Sequence, residues 1–213
     1  MKFVSELTVG SYLIYAKGRS HASAAARQFI RYDLKQAREG RIELVAKRLR
    51  ETLPGSALES FLSDPGLLVP VPGHTPRYSG ALWVPERICS ALLAEGIGTE
   101  MEALVERTAP VPQSSASSSA AGRADPKLHA ATLHVKPRLA SPKRITLVDD
   151  VVTRGSTLIA CGSLVLAQFT GVELQAFAVA RVEEKELAET REMASPKVER
   201  IRYEEDSGWL ARS

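Results

Sequence analysis

The apolar and polar positions of this chain fall into two alternating periods. Residues 11–17 (SYLIYAK) are rich in aromatic and β-branched side chains, which predicts a strand. Residues 20–38 follow at helical spacing, with Phe29, Ile30, Leu34 and Ala37 in an approximate apolar stripe. Gly40 interrupts, and a second helix is expected where Ile42, Val45, Ala46 and Leu49 fit the 3.6-residue period. Pro54-Gly55 ends it, and a short helix is expected around residues 58–62. Residues 67–71 form an apolar run bounded by turn formers, a buried strand whose Pro70 demands a sheet edge or the strand's end. Residues 83–94 predict a helix with Pro85 near its first turn.

Texture then changes. Residues 108–126 (TAPVPQSSASSSAAGRADP) hold almost no large apolar side chain, cannot pack, and are expected to form a mobile loop. Beyond it, strands are expected at 131–135, 145–148 and 172–179, with a helix over 155–169 on which Leu158, Cys161 and Val165 share a side. Strands alternating with helices over 67–180 imply right-handed crossovers and a parallel sheet. The expected fold class is therefore α/β: a parallel twisted sheet flanked by helices, with an N-terminal helical or mixed appendage. The corresponding division is an N-terminal hood at 1–64, a core at 65–182 containing the mobile loop, and an acidic C-terminal extension at 183–213.

Composition adds limits. The 213 residues are 44% hydrophobic and 25% charged, with a net charge of +3, so charge alone argues for neither nucleic acid nor membrane. Its distribution is uneven: residues 27–50 carry eight Lys/Arg against three acids, and residues 183–206 nine acids against five bases. Arg27, Arg31, Lys35 and Arg38 step by four, four and three, which aligns them on one helix face. That stripe is either a solvated face or a track for phosphate or nucleic acid. Cys89 and Cys161 lie far apart without metal-site spacing, and Cys161 falls in an apolar helix, as a buried thiol would. His129 and His134, five apart, would point to opposite faces of a strand, which disfavours a metal pair. The N-terminal segment reads as no secretion signal and no window is long enough to span a membrane, so a cytoplasmic protein is expected.

Chemistry concentrates in ITLVDDVVTRGSTL, residues 145–158. An apolar strand ends on Asp149 and Asp150; Val151 and Val152 follow, and Thr153, Arg154, Gly155, Ser156 and Thr157 turn into a helix. Ligands of a parallel sheet bind beyond the carboxyl ends of its strands, where these acids are expected. A helix start offers unpaired amides and a positive dipole end to an anion. Gly155 would let the backbone approach an oxygen, and the hydroxyls of Thr153, Ser156 and Thr157 add donors. The acids would repel a phosphate but accept hydrogen bonds from vicinal hydroxyls, or hold magnesium between a sugar and another phosphate. A ribose 5-phosphate meets both demands.

The stretch resembles the phosphoribosyl pyrophosphate loop of type I phosphoribosyltransferases: apolar residues, two acids, two apolar residues, then Thr-x-Gly-Ser/Gly-Thr. Every position is filled, with Arg154 where many members carry a second threonine. The run Pro70-Val71-Pro72, Arg77, and a variable loop holding Gln113 and Arg123 are similar to the ComF group. The resemblance spans about residues 67–182. Arg77-Tyr-Ser-Gly80-Ala-Leu departs from that group's Arg-x-x-Gly-Phe-Asn, and no cysteine-rich zinc finger precedes it. The resemblance implies that Asp149 and Asp150 bind the ribose 2- and 3-hydroxyls and that residues 151–157 wrap the 5-phosphate. It also implies that Pro72, Gly73 and His74 approach the pyrophosphate, and that the 108–126 loop closes over the substrate, excluding water from a reactive sugar. Magnesium and a cation, Arg123 or Arg77, would offset the charge of the leaving group. The implied activity is a magnesium-dependent transfer of the phosphoribosyl group to a nitrogen acceptor such as a nucleobase. The alternative is a non-catalytic, nucleotide-sensing or nucleic-acid-associated protein of the ComF type, touching nucleic acid through Arg27, Arg31, Lys35 and Arg38. Expected partners are phosphoribosyl pyrophosphate or a ribose 5-phosphate nucleotide, and a second copy in a homodimer.

Overall fold

The computed structural model describes residues 2–16, 18–78, 80–112, 125–183 and 193–213. Its main sheet has seven strands. In chain order these are β1 (Glu6–Ala16), β2 (Leu67–Pro70), β3 (Glu100–Met101), β6 (Arg144–Val152), β7 (Glu173–Glu183), β8 (Ala194–Glu204) and β9 (Trp209–Arg212), while β4 (Val105–Arg107) and β5 (Leu133–Val135) pair separately. The spatial order is β3-β2-β6-β7-β1-β8-β9. The first five strands in that order are parallel, and β8 and β9 close the row antiparallel. The α/β architecture expected from the strand–helix alternation is therefore observed, as a mostly parallel sheet flanked by helices.

Alternation within the strands decides which helices cover which face. Val9, Val69, Leu147, Ala176 and Ala178 pack with Leu158, Ile159 and Val165 of α6 (Ser156–Gln168). Their sequence neighbours Leu68, Val148, Phe177 and Val179 pack on the opposite face with Ile42 and Leu49 of α2 (Arg41–Thr52) and Ile88 and Leu92 of α4 (Val84–Ala94). A period of two thus feeds two cores. Both faces are covered, so the strands read as near-continuous apolar runs.

The sheet crosses the expected three-part division. β1, from the N-terminal 64 residues, lies between β7 and β8, and β8 and β9 come from the acidic C-terminal segment. Thus the sheet draws on all three segments. The helix expected over 20–38 is α1 (His21–Gln28) continued by a π-helical turn, Phe29–Leu34. A short α3 (Glu59–Leu62) precedes β2, and α5 (Pro126–Ala130) precedes β5. Pro70 ends β2, as its missing N–H requires. The expected loop at 108–126 lies largely outside the described residues, as do Gln113 and Arg123. Cys89 and Cys161 are free and buried. Among the described residues, no helix is long and apolar enough to cross a membrane.

Candidate functional site

The carboxyl ends of β1, β2, β6 and β7 open onto one cleft of about 1220 Å³, lined by Tyr15, residues 71–74, residues 149–158 and residues 181–183. Pockets for one small ligand usually measure about 300–1,000 Å³, so this cleft has room for two reactants. Among the described residues its lining carries eight Lys/Arg against four Asp/Glu, in a chain whose total charge is only +3. The cleft lining is therefore net basic and favours polyanions.

The acids come first. β6 outruns β2: Pro70 pairs with Val148, and Val71 donates its N–H to the Val148 carbonyl at 2.8 Å, after which β6 continues to Val152 beside β7 alone. Asp149 and Asp150 thus stand inside β6, past the end of β2, rather than after the strand as the sequence suggests. Both line the cleft. The Asp149 carboxylate accepts the Asp150 N–H at 2.8 Å, and the Asp150 carboxylate accepts the Val151 N–H at 2.7 Å. Burial, reinforced by the adjacent Asp150 carboxylate, pushes the Asp149 carboxyl well above the usual range. Lys35 Nζ, 3.9 Å from Asp150, opposes that shift weakly.

The turn into α6 forms the next wall. Val151, Val152, Thr153, Arg154, Gly155, Ser156 and Thr157 all line the cleft. No side chain caps α6, so its first amides remain available to an anion. Gly155 is needed for a reason the sequence does not reveal. Its φ of +96° is left-handed, and a Cβ built there would lie 2.2 Å from Ile201 Cδ1 of β8. The glycine serves the turn and the packing behind it.

Behind this turn lies a buried polar chain that sequence reasoning missed. Arg107, on β4, donates from Nε to the Gly73 carbonyl, from one terminal nitrogen to Thr132 Oγ1 at 2.6 Å, and from the other to His129 Nδ1 at 3.2 Å. Arginine only donates, so Nδ1 accepts, and the neutral ring carries its proton on Nε2. Nε2 faces Thr157 Oγ1 at 3.4 Å, which leaves the threonine hydroxyl free to donate into the cleft. Burial first, then the Arg107 charge, lower the His129 pKa to about 4, so this tautomer persists at neutral pH. His129 is 2% and Arg107 5% exposed. Their sequence signal was faint, a lone arginine and a histidine either side of the Ser-rich tract.

Of the expected pyrophosphate residues, Pro72, Gly73 and His74 line the cleft, and a Cβ on Gly73 would meet open space. Arg77 does not line it. It bonds Glu86 at 3.1 Å and stacks over Trp83 at 4.8 Å, because the indole, tethered by its N–H to the Val71 carbonyl, offers a better surface than solvent. Arg123 lies outside the described residues. The basic stripe divides: Arg27, Arg31 and Lys35 turn into the cleft, and Arg38 pairs outside it with Asp33 at 3.3 Å. Four residues overshoot an α-turn and undershoot the wider π-turn, so the mixed helix keeps the first three on one side. The antiparallel strands contribute Lys197 and Arg212, each 3.0 Å from the buried Glu199, and Arg212 also donates to the carbonyls of Val152 and Thr153 at 3.1 and 3.0 Å.

No protein-family model and no curated protein matches the sequence. Two crystal structures of a hypoxanthine phosphoribosyltransferase from Staphylococcus aureus are similar to the chain at low level. The tetragonal form aligns at a TM-score of 0.37 and 12% identity over 68% of this chain and 74% of that one. The orthorhombic form aligns at 0.34 and 13% over 70% and 69%.

Proposed function

We propose that the protein binds phosphoribosyl pyrophosphate and transfers its phosphoribosyl group to a nitrogen acceptor. One observation carries this reading: the acid pair and the phosphate-type turn line adjacent stretches of a single cleft at the carboxyl edge of the sheet. The residues 153–157 would hold the 5-phosphate through main-chain amides and hydroxyls, with Thr157 oriented by His129. Asp149 and Asp150 would accept hydrogen bonds from the vicinal ribose hydroxyls, which replace the water that burial denies Asp149 and favour its ionised form. Pro72, Gly73 and His74, steadied by Arg107, would face the pyrophosphate. Catalysis would rest on positioning and charge stabilisation, with the basic lining drawing electron density toward the departing group.

Magnesium suits the donor chemistry of Asp149 and Asp150, both hard oxygen ligands. Among the described residues no cluster of three or more metal-binding side chains gathers, so the ion would be held jointly by these two acids and the ligand's oxygens. Bound there, it would neutralise charge on the leaving pyrophosphate. Transfer and mere nucleotide sensing would use the same site; release of pyrophosphate in the presence of candidate bases and amines separates them. A ComF-like placement rests on the Pro70-Val71-Pro72 run and Arg77, and Arg77 is engaged by Glu86 and Trp83.

Thermal melting with phosphoribosyl pyrophosphate and magnesium tests the site. At about a hundred times the Kd, wild-type protein should gain about 5–10 °C, the shift expected for about 2.7 kcal/mol in a chain of this length. The double variant Asp149→Asn, Asp150→Asn should melt no lower than wild type without ligand, since it removes two crowded acids, and should show no ligand shift. A wild-type protein that gains nothing at millimolar ligand overturns the reading.

A further inference from the structure

Beyond its share in the general basic lining, the basic stripe of α1 and the π-helical turn has no ligand assigned to it above. Its residues end in the cleft, beside the acid pair: Lys35 Nζ lies 3.9 Å from Asp150 Oδ2, and Arg31, one turn away, lines the same space. Arg31 is held there. Its Nε donates to Tyr15 Oη at 3.2 Å, at the carboxyl end of β1. That hydrogen bond also raises the Arg31 pKa, so the side chain is a permanent cation. Arg27, by contrast, is consumed in capping the carbonyls of Ala16 and Gly18. The phosphate cradle is built from β6 and α6 and does not include Arg31. The cleft therefore presents two separate donor-bearing walls, the α6 turn and the Arg31–Lys35 pair, with Asp150 beside Lys35.

We infer that Arg31, oriented by Tyr15 and flanked by Lys35, forms a second anion subsite that receives a phosphate or carboxylate on the acceptor. The acceptor is thus itself acidic: a nitrogen nucleophile carrying an anionic group roughly one helical turn, about 5–6 Å, beyond Asp150. This rests on the cleft being a ribose-phosphate site. A guanidinium supplies paired donors that match a carboxylate or phosphate edge, which a solvated lysine does not. A nucleic-acid track would need all four cations free on one continuous face, whereas Arg27 is tied to the carbonyls of Ala16 and Gly18 and Arg38 pairs with Asp33 outside the cleft.

Calorimetric titration of the full chain separates the possibilities, with ribose 5-phosphate, inorganic phosphate, phosphoribosyl pyrophosphate and duplex DNA as probes. With ribose 5-phosphate saturating the cradle, wild-type protein should bind one further phosphate. Arg31→Gln should weaken that second event about tenfold or more while leaving ribose 5-phosphate affinity within about twofold. Arg31→Lys should recover part of it, and Tyr15→Phe should weaken it less than Arg31→Gln. Absence of a second phosphate in wild type, or one indifferent to Arg31→Gln, overturns the inference. So does a tenfold loss of phosphoribosyl pyrophosphate affinity in Arg31→Gln with ribose 5-phosphate unchanged, which would assign the wall to the donor's pyrophosphate. Duplex DNA binding that depends on Arg31, with no second phosphate site, would assign it to nucleic acid. If ribose 5-phosphate fails to bind wild type but an Arg31-dependent phosphate does, the function proposed above falls and the anion wall stands.

Discussion

Single side chains in this cleft are set by their partners more than by their identities. Asp149 and Asp150 were legible in sequence because two acids ending an apolar strand have few structural uses. His129 was not, since nothing in the spacing of residues 107, 129 and 157 says that they meet. Its titration has a measurable consequence. In the fold His129 stays neutral down to about pH 4, while the unfolded histidine takes a proton near 6.5. Between those values the unfolded chain binds more protons, so stability is full above about pH 6.5 and declines as pH falls toward 4. The loss amounts to about 3 kcal/mol, at about 1.36 kcal/mol per pH unit of displacement. Denaturant titrations at pH 7 and pH 4.5 should reveal it, and His129→Gln, which keeps an acceptor for Arg107 and a donor for Thr157, should flatten His129's part of that slope. An unchanged slope in the variant removes His129 as its source.

At the level of elements, the junction of β6 and α6 joins chemistry to packing. The sequence motif marks Gly155 as a place for an oxygen to approach, yet the glycine's missing side chain is occupied by Ile201 from β8. Gly155→Val should consequently cost stability of about 2–4 kcal/mol, from a left-handed backbone and a steric clash together, before any ligand is added. Urea unfolding without ligand measures it; a variant as stable as wild type contradicts the packing role. β8 escaped the sequence reading for a related reason. Its inward positions are Glu199, Ile201 and Tyr203, and a charged residue at the first of them breaks the apolar alternation that identifies a strand. Glu199 is tolerated there because Lys197 and Arg212 flank it. The π-helical turn was equally invisible, since apolar spacing alone does not distinguish one wider turn inside a helix.

Across the whole molecule, the α/β class followed from the alternation of strands and helices over residues 67–180, because local periodicity encodes which faces are covered. The order of strands did not follow, since pairing of β1 with β7 and β8 is a long-range event with no local signature. A fragment spanning 65–182 would expose the edge of β7 and lose Leu7 and Val9 from one core and Tyr12 and Leu13 from the other. Expressed alone, it should lack a cooperative melting transition; a sharp transition would establish that the segment is autonomous. The same insertion sets the tempo of folding. Val9 finds its partner at Ala176, so an 11-residue, largely apolar strand must await a distant segment of the chain before it can be covered. Contacts of such high sequence separation close slowly and leave a sticky edge exposed meanwhile. Recovery after dilution from denaturant should therefore fall steeply with protein concentration, and a holdase that shields β1 on the ribosome would raise the yield of native molecules.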